Sequence, residues 1–189
     1  MQKRIADQDA IARKLDELAS SVRKDFSGAA HPVLIGIQRR GVEIARRLVE
    51  RVAQSSGKAI PLGILDITFY RDDLSMVSHQ PVVRNTTIPF GLDDAHIVLV
   101  DDVIFTGRTI RAALDALVDF GRPRIVRLLT LVDRGRRELP IQPDYAGWKV
   151  KTARDDVVHV KVRELDGEDA VDLSIGGRAA APQPTPGPR

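Results

Sequence analysis

Apolar positions along the chain follow two alternating periods. Short apolar runs, Pro32 to Ile37 and Ile97 to Val100, suit strands buried on both faces, and the apolar-rich stretch Arg124 to Val132 reads as another strand. Between them apolar residues recur at helical spacing. Ile5, Ile11, Leu15, Leu18 and Val22 predict an amphipathic helix over residues 4–24. Ile44, Ala45, Leu48 and Val52 predict a second helix from Val42 to about Ala53, and Ile110, Leu114, Leu117 and Val118 predict a third. Pro61 to Tyr70 adds a strand, and Gly121 stands where a helix C-cap glycine would. Val157 to Val162 alternates Val157, His159 and Lys161 against Val158, Val160 and Val162, as a half-buried or edge strand does. Strands alternating with helices predict an α/β fold: a mostly parallel twisted sheet flanked by helices.

The period dissolves between Arg71 and Thr87, which is long for an unstructured link in a compact domain. This segment, with Arg71, Asp72, Asp73 and Arg84, is expected to be a mobile loop or two-stranded arm that folds over a crevice and shields it from water. The Gly- and Pro-rich residues 176–189 cannot build a core and read as a disordered tail. Residues 1–175 are expected to form one domain, a size that supports a full core.

Composition narrows the chemistry. The 189 residues include no cysteine, which excludes disulfides, thiolate catalysis and Cys-based zinc sites. His31, His79, His96 and His159 are scattered without ligand spacing. A net charge of +3 permits a nucleic-acid partner without arguing for one. No apolar stretch approaches the roughly 18 residues of a membrane span, and no secretion signal precedes the first helix, so a cytoplasmic protein without membrane contact is expected.

The densest chemistry follows Ile97 to Val100. Asp101 and Asp102 are expected at the carboxyl end of that strand, and Val103-Ile104-Phe105-Thr106-Gly107-Arg108-Thr109 then leads into the third helix. A small-residue turn at a helix N-terminus offers backbone N–H groups and the positive end of a helix dipole to a phosphate. Carboxylates would repel that phosphate, so Asp101 and Asp102 must face ribose hydroxyls, Mg²⁺ or a developing cation. Gln38-Arg39-Arg40-Gly41 repeats the strand-loop-helix arrangement, and two arginines beside a glycine suit a diphosphate. Neither G-x-x-x-x-G-K-[ST] nor G-x-G-x-x-G occurs.

The run from Val98 to Thr109 resembles the phosphoribosyl diphosphate (PRPP) signature of type I phosphoribosyltransferases. Asp66-Ile67-Thr68-Phe69-Tyr70-Arg71-Asp72-Asp73-Leu74, Gly121-Arg122-Pro123, Leu131-Val132-Asp133-Arg134-Gly135 and Arg137-Glu138-Leu139-Pro140-Ile141 narrow the likeness to one branch. That branch is the bacterial pyrimidine-operon regulators with uracil phosphoribosyltransferase activity, the PyrR family, and the similarity covers roughly residues 5–170. The resemblance implies a type I core with a small hood, about residues 133–152, and transfer from PRPP to uracil, giving UMP and diphosphate with Mg²⁺. It implies Asp101, Asp102 and Arg40 as catalytic groups, and Arg39, Arg40, Gly41 and Asp101 to Thr109 as the PRPP and UMP contacts. Asp101 and Asp102 would hold Mg²⁺, directly or through water. Arg134, Arg137, Leu139, Pro140 and Tyr145 would cover the base. A homodimer or larger homo-oligomer is expected by the same likeness.

The family also binds pyrimidine operon leader RNA in response to UMP, causing transcription attenuation. Here Asp16, Glu17 and Ser20 stand where members commonly carry Thr, Arg and His; Arg136 replaces a usual His, Trp148 a usual Lys, and Gln38 a usual Lys or His. Acids on a phosphate-facing helix repel RNA, while Arg136, Arg137, Lys149 and Lys151 retain a basic cluster, so weakened RNA binding is expected. Two alternatives stand beside the uracil enzyme: an RNA-binding regulator using the pocket only as a nucleotide sensor, and a transferase for another base. Orotate enzymes of this fold usually carry lysines in the mobile loop, and none lies between Arg71 and Thr87.

Overall fold

The computed structural model describes residues 1–68 and 86–176. The segment expected as a loop or arm lies outside the described residues except for Thr86 and Thr87, and so does the tail after Gly176. Thr87 pairs with Ile64 in an isolated antiparallel bridge.

Five parallel strands form the main sheet in the order β3 (Leu62–Leu65), β2 (Pro32–Ile37), β4 (His96–Ile104), β5 (Ile125–Asp133) and β6 (Tyr145–Lys149). Consecutive residues of β4 serve opposite cores. Val98 and Val100 pack with α1 (Gln8–Asp25) and α2 (Arg40–Ser56), whereas Ile97 and Leu99 pack with α3 (Arg108–Leu117). Each fully buried aliphatic side chain of this kind contributes about 1.5–3 kcal/mol of burial free energy, so an unbroken apolar run is what a sheet covered on both faces needs. A second sheet is antiparallel, ordered β1 (Gln2–Ala6), β8 (Ala170–Ser174) and β7 (Val157–Lys161). Among the described residues no helix is long and apolar enough to cross a membrane.

The structure corrects four boundaries. Residues 2–6 are a strand rather than the first turn of a helix, because they gain a ladder with β8, and the Asp7 carboxylate caps Ala10 N–H at 2.9 Å to start α1 at Gln8. β4 runs on through Asp101 and Asp102 to Ile104, since its pairing with β5 continues to Ile104–Asp133. Val118 lies beyond α3, in a 3₁₀ turn (Val118–Phe120), and is 70% exposed. Gly121 ends that turn at φ 142°. Tyr145–Lys149, expected within the hood, is instead the fifth strand of the main sheet. Asp144 sets its register by exchanging two 2.8 Å hydrogen bonds with Leu128, its N–H to Leu128 O and its carboxylate from Leu128 N–H.

Candidate active site

β2 and β4 are neighbours, and the loops after their carboxyl ends flank one crevice. Two glycines let the first of these loops approach. A Cβ on Gly36 would fall 2.5 Å from Val42 Cα, and one on Gly41 would fall 2.5 Å from Val100 O. The start of α2 therefore rests directly on the backbone of β2 and β4. Arg40 opens this helix, half-buried, while Arg39 is exposed. The Arg40 guanidinium is engaged: it forks onto Asp166 at 2.7 and 3.1 Å. Asp166 closes the one-turn helix α4 (Arg163–Asp166) and also accepts Val162 N–H at 2.9 Å. Burial pushes Asp166 up, but the Arg40 fork, the Val162 N–H and the Lys161 charge together hold it below the usual carboxylate range.

Asp101 and Asp102 occupy successive positions on a strand, so they start toward opposite faces. Asp101 is 6% exposed, and its Oδ1 accepts Asp102 N–H at 3.0 Å. Asp102 is half-buried, and its Oδ1 accepts Val103 N–H at 2.9 Å. Burial raises the Asp102 carboxyl; the Val103 N–H, Asp101 and the Arg40 charge oppose that without reversing it. A cavity of about 440 Å³ is lined by Arg40, Asp102 and Asp166 together with Gln2, Ser174 and Val158 to Lys161.

The turn after β4 is a backbone device. Gly107 is the N-cap of α3 at φ 93°, a left-handed conformation that strains any side chain bearing Cβ. Thr106 Oγ1 accepts Arg108 N–H at 3.3 Å. Arg108 points outward to Glu138 at 3.0 Å, with both side chains about half exposed.

The segment expected to cover the base lies against this turn. Leu139 and Ile141 side-chain atoms come within 3.4 and 3.5 Å of the point where a Gly107 Cβ would sit. Arg134 stacks over the Phe105 ring at 3.9 Å and donates to Asp156 O at 2.7 Å; burial lowers its basicity. Arg137 is held by carbonyls of Ile141, Phe105 and Gly135 and by Asp133. Tyr145 does not belong with these residues. Its side chain stands by Asp25, which pairs with Arg127, at the opposite, amino-end edge of the sheet, where burial and then Asp25 raise its pKa. The reason is the fifth strand: parallel pairing carries Tyr145 back to the level of Leu129.

The basic cluster considered for RNA also changes. Arg137 is withdrawn into the hydrogen bonds just named, whereas Arg136, which donates through Nε to Thr152 O at 2.9 Å, is exposed, as are Lys149 and Lys151. Asp16 is paired with Arg51 of α2 at 2.8 Å and Glu17 with Lys14, whose ammonium also stands 5.9 Å over the Trp148 ring.

A model of the phosphoribosyl transferase domain matches residues 1–166. The bifunctional protein PyrR of Acetivibrio thermocellus is 52% identical over 170 residues, covering 90% of this chain and 92% of that protein. The chain belongs to the PyrR family of phosphoribosyltransferases. The bifunctional protein PyrR of Deinococcus radiodurans agrees, at 49% identity over 169 residues, covering 89% of this chain and 92% of that protein. Solved structures share the fold. A hypoxanthine phosphoribosyltransferase from Staphylococcus aureus aligns with a TM-score of 0.68 at 18% identity, over 92% of each chain. One from Trypanosoma cruzi aligns at 0.69 and 15%, over 90% of this chain and 95% of that one. The PyrR fold thus accounts for the parallel sheet and the expected type I core. Sequence reasoning overlooked Asp166 and the wall Val158 to Lys161. The signal was the turn Leu165-Asp166-Gly167, in which an acid sits before a glycine; nothing local tied it to Arg40, 126 positions away.

Proposed function

We propose that the chain transfers the phosphoribosyl group of PRPP to N1 of uracil, forming UMP and releasing diphosphate. The observation that carries this reading is the cavity lined by both Asp102 and Arg40, at the end of the strand that leads into the Gly107 turn. Cleavage at C1′ leaves a cation-like sugar and an anionic diphosphate. Asp102, raised yet facing Arg40, holds negative charge where the sugar becomes positive, and Arg40 neutralises the departing oxygens. The turn from Phe105 to Thr109 seats the 5′-phosphate on backbone N–H groups at a helix N-terminus. Diphosphate then competes with Asp166 for the Arg40 fork.

The uracil belongs against β7. Val158, His159, Val160 and Lys161 all line the cavity, so it meets the strand's edge rather than one of its faces. β7 is an edge strand, whose unpaired N–H and C=O groups match the amide-like rim of a pyrimidine. This moves the base away from the segment expected to cover it, of which Arg134 to Ile141 packs against the phosphate turn.

The donor set fits Mg²⁺, which prefers one or two carboxylates together with substrate phosphates and water. Asp102, with Asp101 behind it, would hold the ion directly or through water. When bound, the ion neutralises diphosphate charge. The test is formation of UMP from PRPP and uracil by the full chain with Mg²⁺, set against orotate and hypoxanthine. Turnover with another base alone would overturn the assignment.

RNA binding is a second part of the reading, supported by the name of the relatives as bifunctional and by exposed Lys149 and Lys151. Ion pairing of Asp16 and Glu17 mutes their repulsion. A UMP-dependent gel shift with leader RNA at near-physiological salt tests it, and light scattering tests the expected homo-oligomer.

A further inference from the structure

We propose that Arg137 is a positioning residue of the phosphate turn, holding its carbonyls outward so that its N–H groups face the ligand. This rests on the reading of residues 105–109 as the phosphate seat. In a trans peptide the C=O and the following N–H point in opposite directions. Phe105 O accepts from Arg137 Nη1 at 2.9 Å. Thr106 O accepts from the backbone N–H groups of Glu138 and Leu139 at 2.9 and 3.1 Å. Two successive peptide units are therefore tied by their oxygens to one segment, and the N–H groups of Thr106 and Gly107 are turned away from it.

Arg137 suits this task because it is itself immobilised. Its Nε donates to Ile141 O at 2.8 Å, its Nη1 also to Gly135 O at 3.1 Å, and its Nη2 to Asp133 Oδ1 at 2.7 Å. Asp133 in turn accepts Gly135 N–H at 2.8 Å, closing the segment on the end of β5. Only 10% of the Arg137 side chain is exposed. A planar fork satisfies several carbonyls at fixed angles, which a lysine ammonium on a flexible stem does not. Arg134, stacked on the Phe105 ring, limits rocking of the same peptide. With its donors engaged in this way, Arg137 acts on the phosphate through the turn and does not contact it.

The experiment compares the affinities of UMP and uridine, by calorimetry, for the native chain, Arg137→Lys and Arg137→Met. The two ligands differ only in the phosphate. The expected result is a fall in the UMP-to-uridine affinity ratio of roughly 10-fold or more in both variants, the scale of a charge-assisted hydrogen bond lost or misdirected. Uridine affinity itself should stay within a few-fold. Amide proton shifts of Thr106 and Gly107 in the ligand-free variants should move as well. Arg137→Lys keeps the charge, so an unchanged ratio there overturns the proposal and identifies long-range attraction as the Arg137 contribution. It also carries the decision should Arg137→Met fail to fold. A native chain that binds uridine as tightly as UMP overturns the phosphate-turn reading instead.

Discussion

The two strand-loop-helix units that bound the cavity look alike in sequence and are built on different principles. After β2, the loop delivers a side chain: Arg40, forked onto Asp166, which comes from the far end of the chain. After β4, the turn delivers main chain: N–H groups at the head of α3, with Gly107 in a conformation reserved for glycine and its neighbours' carbonyls tied down behind. One unit holds charge that is free to exchange partners. The other holds fixed dipoles that need no rearrangement. A phosphoryl group that stays with the product suits the second arrangement, and one that leaves suits the first.

The largest effect should come from the carboxylate between the two units. Asp102→Asn is expected to lower kcat/KM for UMP synthesis by roughly 10²-fold or more, the scale of one preorganised electrostatic group, without lowering Tm. Native turnover in a folded Asp101→Asn, Asp102→Asn double variant would remove both acids from the mechanism.

Next comes the main-chain unit. Gly107→Val places a β-branched residue at φ 93° and should abolish UMP binding. Arg108→Ala removes only an exposed pair, worth about 0–1 kcal/mol, and should leave UMP affinity within a few-fold. Equal losses in the two would mean that the turn binds phosphate through side chains.

The side-chain unit should respond more gently. Asp166→Asn frees Arg40 while keeping the shape, so PRPP binding should change several-fold and UMP binding hardly at all. Asp166 is held low in the folded state, so its stabilisation is present above its unfolded pKa and lost as pH falls through the folded value. Acid unfolding of Asp166→Asn should accordingly be less steep in that range, as followed by circular dichroism.

The smallest effect is one of pH. Asp102 must be ionised to act, and burial raises it, so the acid limb of kcat/KM should lie above the ordinary carboxylate range. Because Arg40 opposes that rise, Arg40→Met should move the limb higher still. A limb that stays in place would separate the two groups electrostatically.

Much of this arrangement was legible because it is local. Ile97 to Val100 announced a doubly covered strand, and Thr106-Gly107 announced a turn into a helix. What escaped depends on distant partners. β4 extends through its acids only because β5 lies alongside, and Tyr145 reaches the far edge only because its strand joins the parallel sheet. Arg137, expected over the base and in the basic cluster, becomes a largely buried tie through carbonyls that sequence does not announce. Asp166 gains its place in the site from Arg40, far away in sequence.

Strand β1 has a consequence for synthesis. It lies against β8, where Met1 and Ile175, 174 positions apart, exchange backbone hydrogen bonds, and Gln2 and Ser174 together wall the cavity. A chain emerging from the ribosome therefore has its acids and its Gly107 turn long before the cavity has all of its lining. Until β7, α4 and β8 follow, Arg40 lacks Asp166 and β1 is an unpaired edge, open to pairing with another nascent chain. Fragments halted before Ser174 should accordingly lack part of the cavity wall, and be inactive as well as adhesive.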